Sequence, residues 1–236
     1  KIPKIVTIHD LIYRHLPELF PGENLDAHDR QLRKACADSE RIIAVSESTK
    51  RDLENFFSIR SEKISVIYSA CDRRYRLRDS EDRKNQIKFK YHLPDRYLLY
   101  VGSMTVRKNL LSIVQAMRLL PRADMIPLVI VGARTPYTDV IQKYAEQHEL
   151  TKWLVFPTGI RTEDLPTVYQ GASIFLYTSL YEGFGMPILE ALACGVPVIT
   201  SNISGMSEAA GPNSLLVDPK RPEEIAAGIV DILSSA

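Results

Sequence analysis

Cysteine is scarce in this chain. Cys36, Cys71 and Cys194 are the only three in 236 residues, far apart and without C-x-x-C spacing. An odd number of scattered thiols suggests neither a disulfide framework nor a zinc site, and they read as free thiols of a reducing, cytoplasmic compartment. No run of about 18 apolar residues occurs, so no transmembrane helix is predicted. An excess of one charge is missing too: 30 basic against 29 acidic residues leave a net charge of +1, which offers no general attraction for nucleic acid. No G-x-G-x-x-G follows a strand-like segment, which disfavours a nicotinamide-dependent dehydrogenase, and no G-x-x-x-x-G-K-[ST] is present to mark a P-loop phosphotransferase. No D-x-D metal motif occurs anywhere. There is no signal-peptide pattern, and the chain enters a strand-like segment at once, as expected where the native start lies upstream.

What is present is ordinary globular material, 45% hydrophobic and 25% charged, enough to bury a real core. The length fits one large domain or two small ones, and falls short of the roughly 300 to 400 residues of two full nucleotide-binding domains. Residues 4–8, 41–45 and 64–68 read as strands, with a helix over 25–38 and another capped by Ser46 and running to about residue 56. That β-α-β-α-β order predicts parallel pairing. Residues 72–90 are charged and mixed in sign. They read as a linker entering an amphipathic helix that ends near Leu93-Pro94, or as a basic patch for nucleic acid, although acids interrupt it and no aromatic ladder accompanies it.

Beyond the linker, strands are predicted over 97–101, 125–131, 153–156, 174–177, 196–200 and 215–217. Helices fall between and after them over 109–120, 137–149, 163–171, 187–194, 205–210 and 222–234. This pattern makes a six-stranded doubly wound sheet, whose ligands lie outside the carboxyl ends of the strands. Turns bearing Gly102, Gly132, Gly159 and Gly183 fall there.

The densest chemistry lies in 177–200, YTSLYEGFGMPILEALACGVPVIT. Gly183, Phe184 and Gly185 form a turn where backbone can come close to a ligand, and Pro187 suits the first position of a helix that ends before Gly195. Glu182 and Glu190 stand eight apart. Free N–H groups at a helix start favour an anion, while carboxylates accept sugar hydroxyls. The stretch is therefore a sugar-phosphate cradle, or else a loop acid and a helix acid both in solvent. Arg107 and Lys108 precede Asn109 at another helix start, as a diphosphate site or a solvated basic pair. His9-Asp10 closes the first strand, where a histidine either packs and caps or acts chemically. Ser46 and Arg51 in SESTKRDL are explained by helix capping.

The string SLYEGFGMPILEALACGVPVITSNISGMSEAAG resembles, almost residue for residue, the E-x7-E signature of retaining family-4 glycosyltransferases of the GT-B fold. The likeness runs from VTIHDLIYRHLPELFP to LLVDPKRPEEIAAGI. It implies two Rossmann-like domains: residues 1–80 as the C-terminal part of an incomplete acceptor-side domain, and residues 81–236 as the nucleotide-sugar donor domain. By resemblance, Lys108 is the family's phosphate lysine, and Arg107 takes the arginine role because Ser103, after Gly102, stands where many members carry arginine. Glu190 would bind the ribose and Glu182 would lie by the transferred sugar. The N–H groups of Phe184, Gly185 and Met186 would face the sugar and phosphates. Gly159, Ile160 and Arg161, in TGIRTEDLPTVYQGA, would contact the base, while Leu165, Tyr169 and Ala172 pack a helix. His9 would contact the donor sugar.

The implied reaction moves a mannose- or glucose-type hexose from UDP or GDP to a glycan or polyprenyl-linked acceptor with retention. It needs no metal or other cofactor, and the compartment is the cytoplasm, with room for peripheral attachment at the inner membrane face. Two alternatives stay open. One is a nucleotide-sugar binding module without turnover, since the family's glycine-rich loop near the N-terminus and its final crossing helix are missing; the other is a GT-B-like epimerase.

Overall fold

Strands that are apolar without alternation suit parallel sheets covered on both faces, and LLYV, LVIV and IFLY are of this kind. The structure is a computed structural model and describes residues 2–76 and 78–235. In chain order its elements are β1 (Ile5–Ile8), α1 (Ile12–His15), α2 (Leu25–Asp38), β2 (Arg41–Ala44), α3 (Glu47–Phe57), β3 (Ile64–Val66) and α4 (Glu81–Tyr91). There follow β4 (Leu98–Val101), α5 (Leu110–Leu119), β5 (Leu128–Val131), α6 (Tyr137–Gln147), β6 (Leu154–Val155), α7 (Leu165–Gln170) and β7 (Ile174–Tyr177). The chain closes with α8 (Met186–Ala193), β8 (Val198–Ser201), α9 (Ser204–Ala210), β9 (Leu215–Val217) and α10 (Pro222–Ser234).

Two parallel sheets result. The first has the order β1-β2-β3; the second has the order β6-β5-β4-β7-β8-β9. The second runs outward in both directions from β4 and β7. Chain direction across the sheet reverses between them, so a crevice opens at their carboxyl ends. Residues on alternate sides of β4 divide the core: Leu98 and Tyr100 pack with α5 and α10, whereas Tyr97 and Leu99 pack with α7 and α8. The first sheet has its own smaller core around Leu11, Ile42, Leu53 and Phe57.

Local signals account for most element ends. Asn24, Ser46 and Ser80 cap α2, α3 and α4 by accepting from the N–H groups of Ala27, Thr49 and Arg83 at 2.9, 3.0 and 3.2 Å. Gly195, with φ of +77°, follows α8 as expected. The expected boundaries shift where a local turn intervenes. The strand expected over 125–131 begins at Leu128 because residues 122–124 form a 3-10 turn, and the one expected over 196–200 begins at Val198. Helix α8 starts at Met186, which places Pro187 at its second position. The linker expected over 72–90 contains a 3-10 turn, Arg73–Arg76, and then α4; Leu77, within it, lies outside the described residues. Among the described residues no helix is long and apolar enough to cross a membrane.

The two sheets are tied together chiefly by α3. The Glu208 carboxylate, on α9, accepts the N–H groups of Glu47 and Ser48 at 2.7 and 2.8 Å, so an acid from one part caps the helix of the other. Backbone also meets backbone there. A Cβ on Gly183 would lie 1.8 Å from the His9 carbonyl oxygen, and one on Gly205 would lie 2.0 Å from that of Gly183.

Candidate active site

At the carboxyl end of β4 the chain makes a 3-10 turn, Val106–Lys108, and passes through Asn109 in the left-handed region before α5 begins. Asn109 is buried and holds this turn against the neighbouring strands, donating its side-chain amide to the carbonyls of Thr178 (2.9 Å) and Pro219 (2.7 Å). The turn aims Arg107 and Lys108 at the loop after β7. Arg107 Nη1 and Lys108 Nζ lie 2.6 and 2.7 Å from the same oxygen, Oε1 of Glu182. Lys108 also donates to the Tyr177 hydroxyl, which itself lies 3.2 Å from Glu182 Oε1. The Arg107 guanidinium donates to the Tyr181 carbonyl at 3.0 Å, and its own carbonyl accepts the Leu180 N–H at 2.8 Å.

All three charged groups are mostly covered, so their charges are strongly coupled. Burial pulls the Lys108 pKa down, and Glu182 offsets this only in part. Burial by itself would push Glu182 up, yet Lys108 and Arg107 outweigh it and hold the carboxyl below its ordinary value. Two cations converge on Glu182 and hold it as a carboxylate.

Glu190, on the first turns of α8, is half-buried. Tyr169 donates to it at 2.9 Å and Tyr75 donates as well. Burial pushes its pKa up, and these two hydrogen bonds compensate only in part. Tyr169 thus packs its helix, as expected, and also orients an acid. Among the described residues no acceptor meets the N–H groups of Phe184, Gly185 and Met186. The Phe184 ring itself turns inward and stacks on Tyr68, with centroids 5.4 Å apart.

Gly102 and Gly132 bring the turns after β4 and β5 into backbone contact: a Cβ on Gly132 would lie 2.0 Å from the Gly102 carbonyl oxygen. Ser103 accepts the Tyr100 hydroxyl through its carbonyl at 3.0 Å. Beside these turns a groove of about 380 Å³ is lined by Gly132, Arg134, Phe156, Gly159 and Ile160, and the Arg134 guanidinium sits 4.8 Å from the Phe156 ring centroid. Gly159 has φ of +69° and open space around it. Ile160 rests on the core, and the Arg161 side chain turns to Glu163 at the surface. A larger cavity of about 910 Å³ lies between the loop after β1 and the turns after β4 and β5, lined among others by Asp10, Tyr13, Phe20, Arg107 and Tyr137. The His9 side chain is exposed at the end of β1. Among the described residues, no group of three His, Cys, Asp or Glu is placed to hold a metal ion.

Lys108, Arg107 and Glu182 therefore meet directly, while Glu190, the Phe184–Met186 backbone and the Gly159 turn lie in their own settings around the same sheet end. Sequence reasoning missed Tyr177 and Tyr181, both of which contact this cluster. Nothing local in the sequence distinguishes a tyrosine that only packs from one that contacts a distant charged pair.

A six-stranded doubly wound parallel sheet joined to a smaller parallel sheet is the architecture of GT-B glycosyltransferases. Residues 82–236 match the glycosyl transferases group 1 family and residues 1–75 match glycosyltransferase family 4; the chain belongs to the first of these families. It is 32% identical, over 97% of its length, to O-antigen chain mannosyltransferase B of Escherichia coli, and covers 61% of that protein. It is 28% identical, over 91% of its length, to O-antigen chain mannosyltransferase RfbU of Salmonella typhimurium, and covers 56% of that one. The chain thus spans about three-fifths of these relatives. The crystal structure of Anabaena HepE in complex with UDP superposes with a TM-score of 0.84 at 20% identity, covering 99% of this chain and 63% of that one.

Proposed function

We propose that the chain serves the transfer of a hexose from a nucleotide diphosphate sugar to a glycan or lipid-linked acceptor, with retention of configuration. Residues 81–236 bind the donor and residues 1–80 contribute the acceptor-side wall. Mannose is the favoured sugar, on the likeness to O-antigen mannosyltransferases. The single observation that carries the reading is the convergence of Arg107 and Lys108 on one oxygen of Glu182 at the switch point.

In this reading the cations exchange part of their contact with Glu182 for the diphosphate. The bond from the sugar C1 to the diphosphate oxygen breaks, and the nucleoside diphosphate leaves under Lys108 and Arg107. The acceptor hydroxyl adds to C1 on the same face, and its proton passes to the leaving oxygen. Glu190 accepts the ribose hydroxyls. The N–H groups of Phe184, Gly185 and Met186 face the sugar and phosphates, as do Gly102 and Ser103 from the turn after β4. Gly159, Ile160 and Arg161 hold the base, and His9 and Glu182 lie by the transferred sugar. The basic pair takes the charge-neutralising role of a metal, so chelators leave the reaction unchanged. The reading places the reaction in the cytoplasm, with peripheral attachment at the inner membrane face where the acceptor is lipid-linked.

The test is incubation with GDP-mannose or UDP-glucose and an oligosaccharide acceptor, with nucleotide release and the anomeric proton followed together. One nucleotide released per glycoside formed, with the donor's anomeric configuration, is expected. Inversion, or the free sugar epimer without glycoside, contradicts the reading.

A further inference from the structure

A second buried acid stands beside the Glu182 loop but outside the cluster just described. Asp52, on α3, is 7% exposed. One of its oxygens accepts the Tyr181 hydroxyl and the other lies 3.0 Å from Nε2 of His15, on α1. The Tyr181 ring lies almost flat on the His15 imidazole, with centroids 4.3 Å apart and 23° between the planes. Tyr181 directly precedes Glu182, and its carbonyl receives Arg107 Nη1 at 3.0 Å. At its side-chain end this residue is bonded to the first part of the chain. At its backbone end it is bonded to Arg107.

The chemistry of the three side chains leaves little freedom. Each Asp52 oxygen faces one partner and accepts from it, the Tyr181 hydroxyl on one and His15 Nε2 on the other. The Tyr181 phenol remains a donor because burial, and then its bond to Asp52, push its pKa up. His15 meets Asp52 through Nε2, which fixes the hydrogen on that nitrogen. Simple adhesion between two packed parts would need no such match of donors and acceptors at the residue next to Glu182.

We propose that Asp52 and His15 are positioning residues for the transfer reaction, acting through Tyr181 to seat Arg107 and Glu182. This rests on the glycosyltransferase reading above. A displacement of about 1 Å in such a group can cost about a hundredfold in rate, so partial release of Tyr181 should lower kcat while leaving the base and ribose contacts alone.

The test measures kcat, donor KM and Tm for the unaltered chain, Tyr181→Phe, Asp52→Ala, Asp52→Asn and the Tyr181→Phe/Asp52→Ala pair, all well below their Tm. Tyr181→Phe and Asp52→Ala should each lose about tenfold in kcat with donor KM within about twofold, and the pair should lose little more than either alone. Asp52→Asn should recover part of the loss, because its amide oxygen still accepts the Tyr181 hydroxyl. Unchanged kcat in both single variants, whatever happens to Tm, overturns the inference and leaves the function standing. Losses that multiply in the pair overturn it too, since the two groups would then act separately. If the unaltered chain binds donor and turns none over, the transfer reading fails and the inference fails with it.

Discussion

The Lys108 ammonium lies 2.7 Å from Oε1 of Glu182, and both side chains are almost covered. This pair keeps a buried cation and a buried acid mutually satisfied. In the proposed reading, a donor diphosphate competes with this carboxylate for the same cation.

Glu182→Gln should therefore separate affinity from turnover. The neutral amide holds Lys108 and Arg107 less firmly, so UDP or GDP should bind about fivefold more tightly, an energy near 1 kcal/mol. Turnover should fall and Tm should drop, because two partly desolvated cations lose their counter-charge. Calorimetry beside a transfer assay checks this; weaker nucleotide binding by the variant would contradict the competition.

The same pair sets an acid limit. The folded-state pKa of Glu182 is held below its ordinary value of 4.5 by the two cations, against the pull of burial. A depressed carboxyl contributes stability that is present above its unfolded pKa and lost as pH falls through the folded one. Stability of the unaltered chain should thus decline more steeply below about pH 4.5 than that of Glu182→Gln, as read by denaturant midpoints across the pH range. Parallel curves would remove Glu182 from the account.

Glu190 has the opposite sign. Burial raises its pKa beyond what the bonds from Tyr169 and Tyr75 offset, so the protonated acid is favoured in the folded state, and that contribution is lost as pH rises through the folded pKa. At pH 8 Glu190→Gln should raise Tm, with the gain vanishing below about pH 4.5. Its nucleotide affinity should nonetheless fall about tenfold, from loss of a charge-assisted bond to the ribose. A variant that is stabilised and binds equally well would take Glu190 out of the site.

How far the sequence disclosed all this depends on the range of the signal. Helices α2, α3 and α10 are legible because capping residues and apolar periodicity are local: Asn24 and Ser46 accept from N–H groups three residues on. β6, two residues long, is overestimated because flanking Trp153 and Phe156 continue the apolar run without pairing. The E-x7-E signature makes Glu182 and Glu190 candidates, and the wider family resemblance adds Lys108. It does not reveal that Arg107 and Lys108 share one oxygen of Glu182, since Arg107 bonds the neighbouring Tyr181 across 74 positions. Asp52 and Tyr181 are 129 apart, and no periodicity or spacing links residues at that distance.

Gly183, after β7, and Gly159, after β6, differ in what a methyl group would meet. Gly183→Ala would drive Cβ into the His9 carbonyl, and should cost about 3 kcal/mol or prevent folding. Gly159→Ala meets open space and only the left-handed backbone at φ of +69°, for about 1 kcal/mol. Urea midpoints rank the two; equal costs would place the close approach of residues 9 and 183 in error.

In the proposed reading, Lys108 is the phosphate cation and Glu182 its partner within the chain. Titration of the unaltered chain and of Lys108→Ala with UDP and with GDP by calorimetry tests it most directly. One nucleotide should bind the unaltered chain, and Lys108→Ala should weaken it about thirtyfold, near 2 kcal/mol for a bond to a charged group. Equal affinity in the two proteins, or no binding of either nucleotide by the folded unaltered chain, would contradict it.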